Sequence, residues 1–501
     1  MMTTKKNSLQ KKVVIIGAGV AGIATSVFLA NKGFQVEVYE KNAAPGGRCG
    51  QIFKNGHRFD LGATILLMPS VYRDVFRSLG LDMDKELEPV SLDPIYKLFF
   101  SDGSDFSYSP NEAKMKSQLE AFEPDSYAQY KRYVKKGYGF FRLATEQLLG
   151  RNFYHLREFL TLRNAAMMIH FKTWIKHTAY IRRFFKDARL QKVFTFQNIY
   201  VGQNPYRQPA FFSMIPSAEI MEGALFPKGG MHTIVQKLME KAEEAGVRFH
   251  FNQNVENIIL DGRKAKGIQL SNGQNTYADI VVANADLPYV YRYLLPDRKA
   301  SLQLERKEYS CSAIVFHWAM DQEYPQLAHH SIFLNEPYKE GMEMIFDKKS
   351  LSSNPSFYIH SPVRTDKDAA PDKQDSLSVI IPAPHIDDGM EQDWDLLKKR
   401  ARIAVFKRLK EAGIDDVEKH IKFEICVMPQ TWKDYCNITN GAVFGSLSHT
   451  IFQMGYFRPH NRHAKYTNLF FVGGSTHPGN GVPLVLLSSK LTTERILKET
   501  R

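Results

Sequence analysis

Residues 13–40 read VVIIGAGVAGIATSVFLANKGFQVEVYE, and the change of pattern inside them decides the fold. Val13 to Ile16 form the continuous apolar run of a buried strand. Gly17, Gly19 and Gly22 follow at GxGxxG spacing, apolar residues then recur at helical intervals, and FQVEVYE alternates as a second strand. The first glycine permits a tight turn, the second lets a pyrophosphate approach the backbone, and the third lets helix and strand pack closely. Glu40 ends the second strand, where a carboxylate can accept hydrogen bonds from ribose hydroxyls. This unit predicts an α/β fold and a dinucleotide site. A basic start, MMTTKKNSLQKK, gives the same region the layout of a signal peptide or first membrane span, but fixed glycines and a change of period suit a strand, turn and helix far better.

Working outward, KNAAPGGRCG (41–50) supplies a second glycine turn with a cation. Gly47 and Arg48 suit the pyrophosphate and ribityl oxygens of FAD better than a nicotinamide dinucleotide; the plainer reading of Arg48 is a surface ion pair. GHRFDLGATILLMP (56–69) reads as a strand end in which Asp60, Gly62, Ala63 and Thr64 enter a backbone-lined contact. Residues 110–215 are mainly helical in pattern. FPKGGM (226–231) opens an amphipathic helix and further strands, and ADIVVANAD (278–286) closes another strand, so the dinucleotide domain returns after an insertion. Strand signals resume over 310–335 and 355–384, as for a sheet in a second domain. The expected division is 1–100, 216–300 and 441–501 for cofactor binding, 101–215 for a helical region, and 301–440 for substrate. Late in the chain, FVGGSTHPGNGVPLVLLSSK (471–490) is another strand, glycine corner and helix, with Pro483 suited to the first turn of a helix beginning near Val482.

Composition narrows the class. A 501-residue chain with 44% hydrophobic and 24% charged residues is an ordinary globular protein of two or three cores. Cys49, Cys311, Cys426 and Cys436 are too scattered for a disulfide framework and form no metal-ligand spacing, which points to a reducing cytoplasm and to no metal. The net charge of +13 is concentrated: residues 151–192 hold ten Lys or Arg against Glu158 and Asp187. Their apolar neighbours fall at roughly helical spacing, so the segment reads either as a solvated basic face over a core or as a membrane-surface patch. Nucleic acid is a poor third. No Ser/His/Asp triad or carboxylate pair stands out.

The motifs GAGVAG, GGRCG, FDLGAT, FPKGGM, VVANAD, SCSAIVFHWAMD, FYIHSPVRTDKDAAP and NLFFVGGSTHPGNGVPLVLLSSK together resemble the bacterial-type carotenoid desaturases, the phytoene and diapophytoene desaturase family within the FAD-dependent amine-oxidase-like superfamily. The resemblance spans nearly the whole chain. It implies a Rossmann-type FAD-binding domain assembled from discontinuous segments, a mixed-sheet substrate domain and a helical membrane-facing region. It implies FAD contacts at Gly17, Gly19, Gly22, Glu40, Gly47, Arg48, Gly62, Ala63 and Thr64, with Val255 at the adenine end. Gly473, Gly474, Thr476, His477, Gly481 and Val482 then fall beside the flavin ring, where a helix N-terminus favours the negative charge that reduction builds. His477 is the one candidate for a direct proton role. In FLTLRNAAMMI (159–169), Asn164 and Met167 stand where some relatives carry an aspartate and an arginine.

The implied reaction is desaturation of an apolar isoprenoid, with hydride passing to flavin N5, a proton lost from the adjacent carbon, and oxygen or a quinone as final electron acceptor. Moving some ~30 to 40 apolar carbons into water at ~0.8 kcal/mol per CH₂ costs well over ~20 kcal/mol, so the substrate must be taken from a bilayer. That predicts peripheral membrane association at the cytoplasmic face. Terminal-methyl oxidation, isomerisation or saturation of the same substrates would use nearly the same residues. An amine oxidase or a non-enzymatic lipid escort could share the fold.

Overall fold

The computed structural model describes residues 10–500. Of the basic start, residues 1–9 lie outside that range. Lys12–Ile16 is a strand, Val20–Ala30 a helix and Gln35–Tyr39 a strand, as their pattern predicts. They sit in a five-stranded sheet in which Arg248–His250, Gln35–Tyr39, Lys12–Ile16, Ile280–Ala283 and Leu469–Phe471 are neighbours in that order. Every pairing is parallel. In chain order the strands run third, second, first, fourth, fifth, so the sheet gathers segments more than 400 residues apart. The helix Val20–Ala30 is buried from Val20 to Leu29 because it is sandwiched: the sheet lies on one side, and Val482–Glu499 and Thr233–Glu244 pack on others. That accounts for its apolar residues all round, where a surface helix would show one stripe.

A second sheet has seven strands, in the order Ile421–Val427, Ser312–Met320, Asp375–Ala383, Phe357–His360, His330–Leu334, Tyr96–Phe100 and Asp105–Tyr108. It is antiparallel except where His330–Leu334 runs parallel to Tyr96–Phe100. Ser312–Met320 is buried at all nine positions, which its unbroken run of mostly apolar residues anticipates. The Tyr96–Tyr108 hairpin belongs to this sheet, so pairing crosses the boundary expected at residue 100. The chain from Glu112 to Glu222 is mainly helical: Glu112–Phe122 and the long Ser126–Ala144, then short helices at Leu156–Phe159, Leu162–His170, His177–Ile181 and Ala188–Val193, and finally Met214–Glu222. No described helix is long and apolar enough to cross a membrane.

Candidate functional site

A cavity of about 540 Å³ runs between the two sheets and the helical region. One end is built of glycine turns. Gly17 has φ +97°, and a Cβ there would stand 2.7 Å from the Asn284 carbonyl oxygen. The turn is thus closed against the next strand of the sheet. Asn284 completes the contact, its side-chain Nδ2 donating to the Gly17 carbonyl at 3.0 Å. Gly22 does not line the cavity; a Cβ on it would lie 2.3 Å from the Gly17 carbonyl oxygen, so its role is the close helix–strand packing its place in the motif requires. Glu40 accepts from the backbone N–H groups of Ala18 (2.8 Å) and Asn42 (2.9 Å), which fixes the carboxylate at the cavity wall.

Arg48 donates to the Val443 carbonyl at 2.9 Å, and its other terminal nitrogen would stand 3.0 Å from a Cβ on Gly474. It therefore joins the second glycine turn to the late corner. Gly47, Gly62, Ala63, Thr64 and Val255 line the same space, as do Gly473, Gly474, Gly481 and Val482. Tyr358 donates its hydroxyl hydrogen to Thr64 Oγ1 at 2.9 Å. Asp60 stands behind the wall, accepting from the Met231 N–H at 3.1 Å and so holding the turn at Gly229 and Gly230; burial pushes its carboxyl up to about 6. Gly481 caps Val482–Glu499 with φ +90°, and Pro483 occupies its first turn. Two helix N-termini, this one and that of Val20–Ala30, thus open onto one cavity.

Two predicted residues face elsewhere. His477 does not line the cavity. Its Nε2–H donates to the Arg151 carbonyl at 2.9 Å and its ring packs edge-on to Phe153, on the far side of the corner. Burial lowers its pKa to about 4. Thr476 folds back, donating from Oγ1 to the Gly473 carbonyl at 3.0 Å.

Several contributors were invisible in the sequence. Asp286 is partly buried at the cavity wall, accepting from the Ser446 hydroxyl and the Thr439 N–H; desolvation raises its pKa, opposed by those bonds and by Arg48. The Asn480 side-chain oxygen is buried at the cavity wall with no hydrogen-bond partner among the described residues. His329 and His330, adjacent in the sequence, meet the remote His360 in the second sheet because His330 and His360 are register partners on adjacent strands. Nε2 of His329 and of His360 lie 3.2 Å apart, and His330 Nδ1 meets the Tyr358 hydroxyl at 2.6 Å, linking the cluster to the cavity wall. Burial lowers all three pKa values.

The other end of the cavity is apolar, walled by Leu67, Met68, Tyr96, Phe171, Phe196, Tyr200, Phe212, Ile332, Leu334 and Met342 among others. Among the described residues, carboxylates reach the lining only at Glu40 and Asp286, both beside the glycine turns. Glu219 lies behind Tyr96, accepting its hydroxyl hydrogen at 3.0 Å, and burial raises its pKa to about 8.

Paired glycine turns, an acid, an arginine and two helix N-termini around one elongated cavity define a dinucleotide-dependent oxidoreductase site. The family model for flavin containing amine oxidoreductase matches residues 20–497. A zeta-carotene-forming phytoene desaturase of Myxococcus xanthus is 39% identical, over 97% of this chain and 94% of its own. A diaponeurosporene-forming 4,4'-diapophytoene desaturase of Staphylococcus aureus (strain Newman) is 31% identical, over 97% and 99%. Putrescine oxidase bound to putrescine shares the fold, with a TM-score of 0.63 at 13% identity, over 98% of this chain and 99% of that one. The chain belongs to the flavin-containing amine oxidoreductase family, in the branch of the phytoene and diapophytoene desaturases. Its cofactor is FAD.

Proposed function

We propose that this protein is an FAD-dependent desaturase that introduces double bonds into a linear carotenoid precursor of the phytoene or diapophytoene type, taken from a membrane surface. The observation that carries the reading is the single cavity, polar and glycine-lined at one end and apolar at the other. The order of the five parallel strands supports a Rossmann-type FAD-binding unit assembled from the start, middle and end of the chain, with the seven-stranded sheet forming the substrate side.

The residues present fit FAD. Gly17, Gly19 and Gly47 leave room for a pyrophosphate at the N-terminus of Val20–Ala30, with Arg48 beside it and Glu40 for the ribose. Gly473, Gly474, Gly481 and Val482 would meet the ring, and the buried Asn480 oxygen awaits a donor there. When bound, FAD supplies the oxidising power, taking a hydride from an allylic C–H bond. The chain's own residues hold the substrate in register, exclude water and shield the developing allylic cation. An apolar arm without carboxylates suits a hydrocarbon and offers nothing to an ammonium group, which argues against an amine substrate.

Residues 156–174 connect this arm to the outside. Phe159, Met168 and Phe171 face the cavity, whereas Leu160, Leu162, Ile169 and Trp174 of the same segment are exposed, with Phe452 and Phe457 exposed nearby and Phe457 packed edge-on against Phe159. Arg157, Arg163, Lys176, Arg182, Arg183 and Lys186 make no ion pair among the described residues, while Arg189 and Lys192 are tied to Asp102, Asp187 and Glu336. Such a mixed apolar and basic surface is suited to the headgroup region of an anionic bilayer.

The test is incubation with FAD and liposomes containing phytoene or diapophytoene, followed by pigment spectra and product identification. New conjugated double bonds are the expected result. Retained FAD with oxygenated, isomerised or saturated products instead would assign another reaction to the same cavity, and retained FAD with no product from either substrate would overturn the reading.

A further inference from the structure

One buried imidazole at the cavity has no hydrogen-bond partner among the described residues. It is His449, which is 6% exposed, and both ring nitrogens are without one. Leaving a buried polar atom unpaired costs about 1–3 kcal/mol, so native chains rarely tolerate two on one ring without a use for them. The ring is also held in place. A Cβ on Gly479 would lie 2.5 Å from His449 Nε2, so the imidazole rests directly against the glycine corner. The adjoining Ser448 is fixed from three sides: its N–H donates to the Glu308 carbonyl (2.9 Å), its hydroxyl to Gln203 (3.0 Å), and its carbonyl accepts from buried Arg458 (3.2 Å). Arg458 donates also to the Thr476 carbonyl at 2.9 Å and to that of Gly474. One guanidinium thereby clamps the His449 segment to the corner expected to face the flavin.

We propose that His449 is the catalytic base that accepts the proton lost from the substrate, an assignment that rests on the desaturase reading. Removing two hydrogens from adjacent carbons requires a hydride and its electron pair to leave with FAD, and a proton to leave the neighbouring carbon, whose C–H electrons become the new π bond. The imidazole lone pair takes that proton. A hydrogen next to an allylic cation is acidic enough that position matters more than basicity. Burial, reinforced by the Arg458 charge, keeps the His449 pKa well below its ordinary value, so its lone pair stays open before the reaction. His477 cannot serve, because its ring points into the Arg151 and Phe153 side of the corner.

The experiment compares the FAD-loaded wild type with His449→Leu and His449→Asn in liposomes carrying phytoene or diapophytoene. A positioned base contributes about 10²- to 10⁴-fold, so both variants should lose at least 100-fold in turnover while holding FAD and binding liposomes as the wild type does. A second measurement needs no turnover. In ¹⁵N-histidine-labelled wild-type holoenzyme, the resonance absent from either variant should shift when a saturated, unreactive analogue of the substrate is added. Turnover within threefold of wild type in either FAD-loaded variant, or a His449 resonance indifferent to the analogue, overturns the assignment. If the wild type itself forms no double bonds while holding FAD, the desaturase reading fails instead.

Discussion

Replacing Leu162 and Trp174 with serine should detach the protein from membranes. Leu162 is 91% exposed and Trp174 63% exposed, so both have nearly a full apolar payload to transfer. Withdrawing a large apolar side chain from water contributes ~1.5–3 kcal/mol, and the pair together supplies about 4 kcal/mol. At 1.4 kcal/mol per tenfold, the double variant should bind anionic liposomes several hundred-fold more weakly. Neither side chain is buried in the fold, so thermal stability and FAD content should hold. The assay is co-sedimentation at low and high salt. Loss at both salts is expected for the double variant. Charge reversal at Arg182, Arg183 and Lys186 should weaken binding only at low salt, because those contacts are screened. Binding by the Leu162→Ser, Trp174→Ser protein that matches wild type at high salt would refute the docking surface.

Three further outcomes follow from the interior. Gly17→Ala should lower FAD retention at least tenfold in equilibrium dialysis, because alanine at φ +97° puts its Cβ against the Asn284 carbonyl. Asn164→Asp should lower the Tm: the Asn164 side-chain nitrogen donates to the Phe159 carbonyl at 2.7 Å, and a carboxylate there would face carbonyl oxygens at a cost of about 1–3 kcal/mol. Glu219 keeps its proton up to about pH 8 in the folded protein, whereas its unfolded counterpart loses it near 4.5. The folded state binds the extra proton between those values, so this group lowers stability as pH rises from about 4.5 to 8. Glu219→Gln should therefore melt higher than wild type at pH 8 and like it at pH 4; equal difference at both would show that packing, not ionisation, is responsible.

Much of this architecture was legible because glycine turns state a local need. Gly17, Gly47 and Gly481 have positive φ, and their neighbours had to be strands and helix starts. The late corner could be recognised for the same reason. Side-chain direction could not. His477 and His449 both sit at that corner, and only the Arg151 carbonyl on one side and the space above Gly479 on the other decide which ring meets the cavity. Asn284 escaped notice because its partner, Gly17, is remote in the chain and adjacent only once the parallel sheet forms. The basic segment was visible as charge, but which cations stay free depended on Asp102 and Glu336, from other parts of the fold. Asn164, which stands where some relatives carry an aspartate, is a donor to backbone carbonyls here, a role no spacing rule reveals.

If the glycine-lined and apolar ends of the cavity serve one reaction, electrons leaving the substrate must reach the flavin. Anaerobic mixing of the FAD-loaded protein with liposome-borne phytoene or diapophytoene tests it most directly. Loss of the oxidised flavin spectrum is expected in step with the appearance of conjugated double bonds, one for each two-electron reduction. Persistent oxidised flavin with both substrates unchanged, or bleaching by a diamine in their place, would contradict it.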